Sequence, residues 1–122
     1  MIIVHGTFPI KAAVRDYALD LMREMAIASR AEEGCVTYEF YVGLSDPNVL
    51  LLFQEWVSVD ALQSHFETEH MEVFLQQLPS VLDGEVATRR YEVKVSADDN
   101  VGHVEFEPEF VPHVEEREKI VH

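Results

Sequence analysis

The chain has 122 residues, 48% of them apolar and 26% charged, which is the composition of a single soluble globular domain. Nine Lys and Arg stand against 23 Asp and Glu, a formal charge of −14, and this argues against nucleic-acid binding and against adsorption to an anionic membrane, because both need clustered basic side chains. A lone Cys35 excludes an internal disulfide, no apolar run reaches the ~18 residues of a membrane helix, and residues 1–6 lack the features of a secretion signal, so a reducing cytoplasm is the expected location.

Residues 2–8 are short, β-branched and aromatic, and Pro9 limits them, so they read as a strand. Across residues 11–31, Val14, Tyr17, Ala18, Leu21, Met22, Met25 and Ala28 recur at helical spacing, with Arg15, Asp20, Arg23, Glu24 and Arg30 mostly on the other side. That predicts an amphipathic helix, stopped by Gly34. Residues 35–42 and 49–57 read as two strands joined through Asp46-Pro47-Asn48, in which Pro presets the turn. Ser58 is positioned to cap a short helix over 59–66, and Thr68 a second over 69–78. Pro79 and Gly84 then break the chain, and residues 86–95 read as a last strand.

The order β-α-β-β-α-β predicts an α+β fold of the ferredoxin-like split type, with helices on one face of a four-stranded antiparallel sheet. In the fourth segment, Leu50, Leu52 and Trp56 point one way while Val49, Leu51, Phe53 and Val57 point the other. A half-solvated antiparallel strand should alternate polar with apolar, so the second face needs a cover. A second copy of the sheet is the simplest one, which predicts a homodimer, or a dimer of dimers, built as a dimeric α+β barrel.

Charge divides the chain further. Residues 1–30 carry a net +1, residues 31–95 a net −9, and residues 96–122 a net −6. Ser96-Ala97-Asp98-Asp99-Asn100 has linker composition, so a folded domain over 1–95 and an acidic extension over 96–122 are expected. The extension reads either as a disordered, solubilising tail or as an arm over residues 101–111 that Phe106 and Phe110 anchor on a partner subunit, with disorder beyond.

The stretch Glu33-Gly34-Cys35-Val36-Thr37-Tyr38-Glu39-Phe40-Tyr41 resembles the E-x-G-C-x-x-Y-E-F segment of antibiotic biosynthesis monooxygenase domains. Asp46-Pro47-Asn48, Phe53-Gln54-Glu55-Trp56, Ala61-Leu62, His65-Phe66-x-Thr68-x-His70 and Arg90-Tyr91-Glu92-Val93 continue the likeness in order over residues 1–95. Glu69 stands where the family usually has Pro before the second His. The resemblance implies a dimeric α+β barrel with a small pocket in each subunit, and it includes quinol monooxygenases that use O2 without metal or flavin. Other relatives degrade haem, isomerise small molecules, or have no known reaction, so the fold alone does not choose the chemistry.

On that resemblance the expected substrate is a small quinol-like aromatic together with O2, with no cofactor and no metal. His65 shares the inner face of its helix with Leu62 and would serve as the base that takes a phenolic proton. Trp56, the sole Trp, would form an aromatic wall, and Tyr38 and Phe66 could line the pocket. His5 is the second candidate acid/base if its face of the first strand looks toward the helices, and structural if it looks toward the dimer; His5 or His70 would orient the substrate. Each residue also has a plain structural reading: a core or interface Trp, a satisfied helix His, core aromatics. The spacing of five between His65 and His70 is not that of two ligands on one helical face. The segment 74–78 has no His to serve as a haem ligand. Cys35 reads as a small buried hydrophobe. The alternative function is an isomerase or small-molecule-binding dimer module without redox chemistry.

Overall fold

In the computed structural model, residues 1–94 are described, and the structural statements below concern them. The elements are β1 (Ile2–Pro9), a 3-10 turn (Ala12–Val14), α1 (Arg15–Arg30), β2 (Cys35–Val42), β3 (Val49–Trp56), α2 (Val59–Phe66), α3 (Glu69–Gln77), a second 3-10 turn (Leu78–Ser80) and β4 (Ala87–Glu92). The sheet is antiparallel throughout, in the order β2-β3-β1-β4. This is the α+β, ferredoxin-like arrangement expected from the sequence.

Local chemistry accounts for most boundaries. Ser58 Oγ accepts from Ala61 N at 3.1 Å and starts α2. Thr68 Oγ1 accepts from Met71 N at 3.2 Å and starts α3. In the β2–β3 turn, Asp46 Oδ1 accepts from Asn48 N at 3.0 Å. Two elements differ from expectation by more than one residue. The first helix begins at Arg15, after a 3-10 turn over residues 12–14, and the Arg15 guanidinium donates to the Pro47 carbonyl at 2.9 and 3.1 Å. The last strand is shorter, running from Ala87 to Glu92 along the pairing with β1. The boundary near residue 96 and the arm at 101–111 lie outside the described residues.

α1 buries Ala18, Leu21, Met22, Met25 and Ala26 against the sheet. Burial of Leu21, Met22 and Met25 is worth about 1.5–3 kcal/mol each. The exposed Asp20–Arg23 pair of the same helix gives about 0.3–0.5 kcal/mol, so the apolar stripe docks the helix. Arg30 ties the end of α1 to β2, donating to the Tyr38 carbonyl at 3.0 Å and pairing with Glu39.

Register fixes what each sheet face presents. Tyr38, Gln54, Val4 and Arg90 stand side by side across the four strands on the helix face, with Phe40, Leu52, Gly6 and Thr88 in the next rung. Ile3, His5, Leu51, Phe53, Tyr41 and Tyr91 belong to the opposite, open face. His5 therefore does not look toward the helices. Its Nε2 lies 3.3 Å from the Tyr91 hydroxyl and the two rings stack at 5.4 Å. The expectation that His5 joins the pocket is corrected by this register: Ile2, Val4, Gly6 and Phe8 take the inner face, and the alternating residue 5 must take the outer one.

Candidate functional site

Between α3 and the sheet lies a hollow of about 300 Å³. Its floor is made by those two rungs without Phe40, with Val4, Leu52 and Gly6 at the centre; Tyr38 and Phe66 form one wall, and Met71, Phe74 and Leu78 the roof. Gly6 deepens the floor. A Cβ there would lie 3.0 Å from Thr88 Cγ2 and 3.3 Å from the Ala87 carbonyl, so the strand is closely flanked where it carries no side chain. Besides the Tyr38 phenol, the polar residues lining it sit along the sheet: Gln54, Thr88, Arg89 and Arg90. A concave apolar hollow with a few convergent polar groups is the usual form of a small-molecule site.

A second constellation lies behind that wall. Gly34 adopts φ +90°, and a Cβ on it would fall 2.6 Å from Ala61 Cβ. Only glycine permits both the turn and the contact. Its carbonyl accepts from Val57 N at 2.9 Å, which seats the α1–β2 turn on the start of α2. That seating puts Glu32 beneath His65. The chain then bends at Glu67–Thr68, where Thr68 Oγ1 donates to the His65 carbonyl at 2.8 Å, and α3 brings His70 to the same place. One carboxylate oxygen, Glu32 Oε2, lies 2.7 Å from His65 Nδ1 and 2.6 Å from His70 Nε2. A carboxylate oxygen only accepts, so each imidazole donates.

His65 is fully buried, and its Nε2 has no hydrogen-bond partner. Its ring lies 4.7 Å from Trp56, 5.6 Å from Tyr38 and 5.8 Å from Phe66. Burial pushes this imidazole below its usual value, and the hydrogen bond and charge of Glu32 oppose that without reversing it. The neutral ring holds its proton on Nδ1, facing Glu32, and presents a bare lone pair at Nε2. Burial likewise pushes the Tyr38 phenol well above its usual value. The Cys35 thiol is also raised, by burial first and by Glu32 second, which agrees with its reading as an unreactive small side chain.

Tyr38 and Phe66 line the hollow. His65 and Trp56 do not border it; they form the layer behind Tyr38. The Trp56 indole is fully buried and donates to Gln54 Oε1 at 2.8 Å, and Gln54 does border the hollow. His70 opens instead into a separate groove between α1 and α3, alongside Glu24, Glu69 and Val73. Glu32 was not among the residues singled out from the sequence, although it adjoins the Gly34-Cys35 stretch. With His65 and His70 it supplies three metal-capable atoms, all within 4.8 Å of one another.

The family's sequence model, described as antibiotic biosynthesis monooxygenase, matches residues 1–77. The chain belongs to the antibiotic biosynthesis monooxygenase family. A Synechocystis protein, sll1783, of uncharacterised function, is 28% identical over 92 residues, and that match spans 75% of this chain and 63% of the relative's length. Among solved structures, Rv0793 from Mycobacterium tuberculosis is 26% identical with a TM-score of 0.73, covering 80% of this chain and 98% of its own. A conserved protein from Methanosarcina mazei is also 26% identical, with a TM-score of 0.73 over 76% of this chain and 92% of its own. A structure named antibiotic biosynthesis monooxygenase is 25% identical with a TM-score of 0.72, over 78% of this chain and all of that one. Among the described residues, no helix is long and apolar enough to cross a membrane.

Proposed function

We propose that the protein is a cofactor-independent monooxygenase acting on a quinol or related polyphenol held in the hollow under α3, with His65 as the base. One observation carries this reading: an imidazole fixed by a carboxylate through Nδ1, with Nε2 buried and unpaired, stands one aromatic ring away from an apolar hollow of substrate size. Tyr38 and Phe66 both stand beside the His65 ring and line the hollow; Phe66, at the C-terminal end of α2, is 41% exposed, and a swing of its ring would admit a phenolic oxygen to Nε2. Trp56 packs on the His65 ring and, through Gln54, couples that packing to the floor of the hollow.

The chemistry balances without another reductant. His65 Nε2 takes the phenolic proton, and the electron-rich phenolate passes an electron to O2. The two radicals join at a ring carbon. The O–O bond then breaks, one oxygen stays on the ring, and the other leaves as water with two hydrogens of the substrate. The sum is quinol plus O2 giving hydroxyquinone plus water. Apolar walls protect the charged intermediates from bulk water.

Oxygen uptake with a panel of reduced quinols tests the reading. Loss of the base should lower turnover by about 100-fold or more in His65→Ala. Glu32→Ala, which frees the tautomer without opening the core at His65, should fall in the same direction. Uptake equal in the wild type and both folded variants overturns the proposal. A second reading, binding or isomerisation without redox chemistry, is favoured by the fact that neither histidine borders the hollow. Saturable binding of an aromatic without oxygen uptake selects it.

We also infer that two chains pair through the open sheet face. Tyr41, Leu51 and Tyr91 are 50%, 37% and 41% exposed there, beside Ile3 and Phe53, and a two-fold pairing would let one patch cover itself. Light scattering should give twice the 14.0 kDa chain mass, and Leu51→Glu should return the monomer. A wild-type monomer at micromolar concentration overturns the inference.

A further inference from the structure

We propose that Glu32, His65 and His70 form a binding site for a divalent first-row metal ion of the zinc type, reached from the groove between α1 and α3. Two imidazoles and one carboxylate, with a further coordination position open, are a donor set suited to such ions. The three atoms already converge, with Glu32 Oε2 at 2.7 Å from His65 Nδ1 and 2.6 Å from His70 Nε2. A tetrahedral ion holding each at ~2.1 Å sets neighbouring ligand atoms about 3.4 Å apart, so the carboxylate needs to retreat by only about 0.7 Å. Each ligand stands on a fixed support: the Gly34 turn, α2, and the Thr68-capped start of α3.

Coordination at Nδ1 moves the His65 ring proton to Nε2, where an unpaired acceptor becomes an unpaired donor. Two further features favour a cation. His70 is 29% exposed in its side chain and borders a groove of about 360 Å³, which gives an entry path. The acidic side chains lining that groove are Glu24 and Glu69, and no Lys or Arg lines it, so its field draws cations.

Occupancy and catalysis then exclude one another. The lone pair of Nε2 exists while Glu32 holds the Nδ1 proton, and an ion on Nδ1 replaces it with an N–H. Bound Zn2+ therefore inhibits oxygenation, a second half of the inference that rests on His65 being the base.

The full chain, dialysed against EDTA and titrated calorimetrically with ZnCl2, tests the site. The expected result is one ion per chain, with affinity lower by about 100-fold or more in His70→Asn and in Glu32→Gln. A variant lacking the histidines beyond residue 94, His103→Asn with His113→Asn and His122→Asn, should bind as the wild type does. Circular dichroism of metal-free His70→Asn checks its fold, and Co2+ in place of Zn2+ should give visible absorption bands in the wild type that His70→Asn lacks. No saturable binding, unchanged binding in His70→Asn and Glu32→Gln, or loss of binding in the triple variant overturns the site, in which case the carboxylate is a hydrogen-bonding clamp alone. Uptake of O2 by the wild type should fall at least tenfold at saturating Zn2+ and return with EDTA; full activity with the ion bound overturns the inhibitory half. The binding arm needs no substrate, so it stands or falls separately from the oxygenase reading.

Discussion

Replacing Gly34 by alanine tests how the fold builds the site. The backbone there has φ +90°, where an L side chain is strained, at a cost of about 1–2 kcal/mol. The new Cβ would also fall 2.6 Å from Ala61 Cβ and 3.2 Å from Val57 Cγ2, and forced overpacking of that kind costs about 1–3 kcal/mol. The two together predict a loss of about 2–5 kcal/mol, which for a domain of this size lowers the melting temperature by roughly 10 °C or more. Thermal unfolding followed by circular dichroism measures it. The second variant, Ala61→Gly, separates the causes. It removes the clash with Ala61 Cβ and leaves the backbone strain and the approach to Val57 Cγ2, so the double variant should recover part of the loss despite about 1 kcal/mol of helix cost from the new glycine. A positive coupling in the double-mutant cycle is the expected signature. If Gly34→Ala melts within 2–3 °C of the wild type, a shift worth well under 1 kcal/mol, then the turn is not held by this contact, and the account of how Glu32 is seated beneath His65 fails with it.

Other perturbations follow from single contacts. Trp56→Phe removes the donor to Gln54 Oε1 at a buried position, and leaving that acceptor unpaired should cost about 1–3 kcal/mol in urea unfolding. Trp56→Phe with Gln54→Met removes both partners and should recover most of the loss; an equal or larger loss refutes the assignment. Gly6→Val puts branched bulk into the floor of the hollow, where even a Cβ sits 3.0 Å from Thr88 Cγ2. Binding of 1-naphthol, followed by fluorescence, should weaken by at least tenfold, which is about 1.4 kcal/mol; unchanged binding would move the ligand site away from α3.

The elements were legible because their signals are local. Ser58 and Thr68 announce their helices, Asp46-Pro47-Asn48 its turn, and the alternation in residues 49–57 the two faces of β3, and each acts over a few residues whatever surrounds it. The first helix starts four residues later than its periodicity suggests, because residues 12–14 coil as a 3-10 turn that shares the apolar spacing of the helix it leads into. His5 shows a different gap. Periodicity said which residues share its face but not which way the face looks, and only the packing of the helices decides that. Tyr38 and Phe66 fell on the hollow because residues of their type at inward positions line whatever space the helices leave.

Glu32 was illegible for a stronger reason. A ligand or catalytic set on one helix leaves a spacing of three or four residues, which can be read. Here the carboxylate stands 33 positions from one imidazole and 38 from the other, and the two histidines sit on different helices separated by a bend. Their five-residue spacing, which argues against a shared face on a continuous helix, is what the bend at Glu67–Thr68 converts into convergence, with the rings 6.1 Å apart. The decisive residue is Gly34, which makes no contact with any of the three side chains' functional atoms. By allowing the α1–β2 turn to rest on Ala61, it carries Glu32 under His65. The chemistry of this site is thus set by a backbone conformation two residues from the carboxylate, and a substitution there should disturb His65 and His70 together rather than either alone.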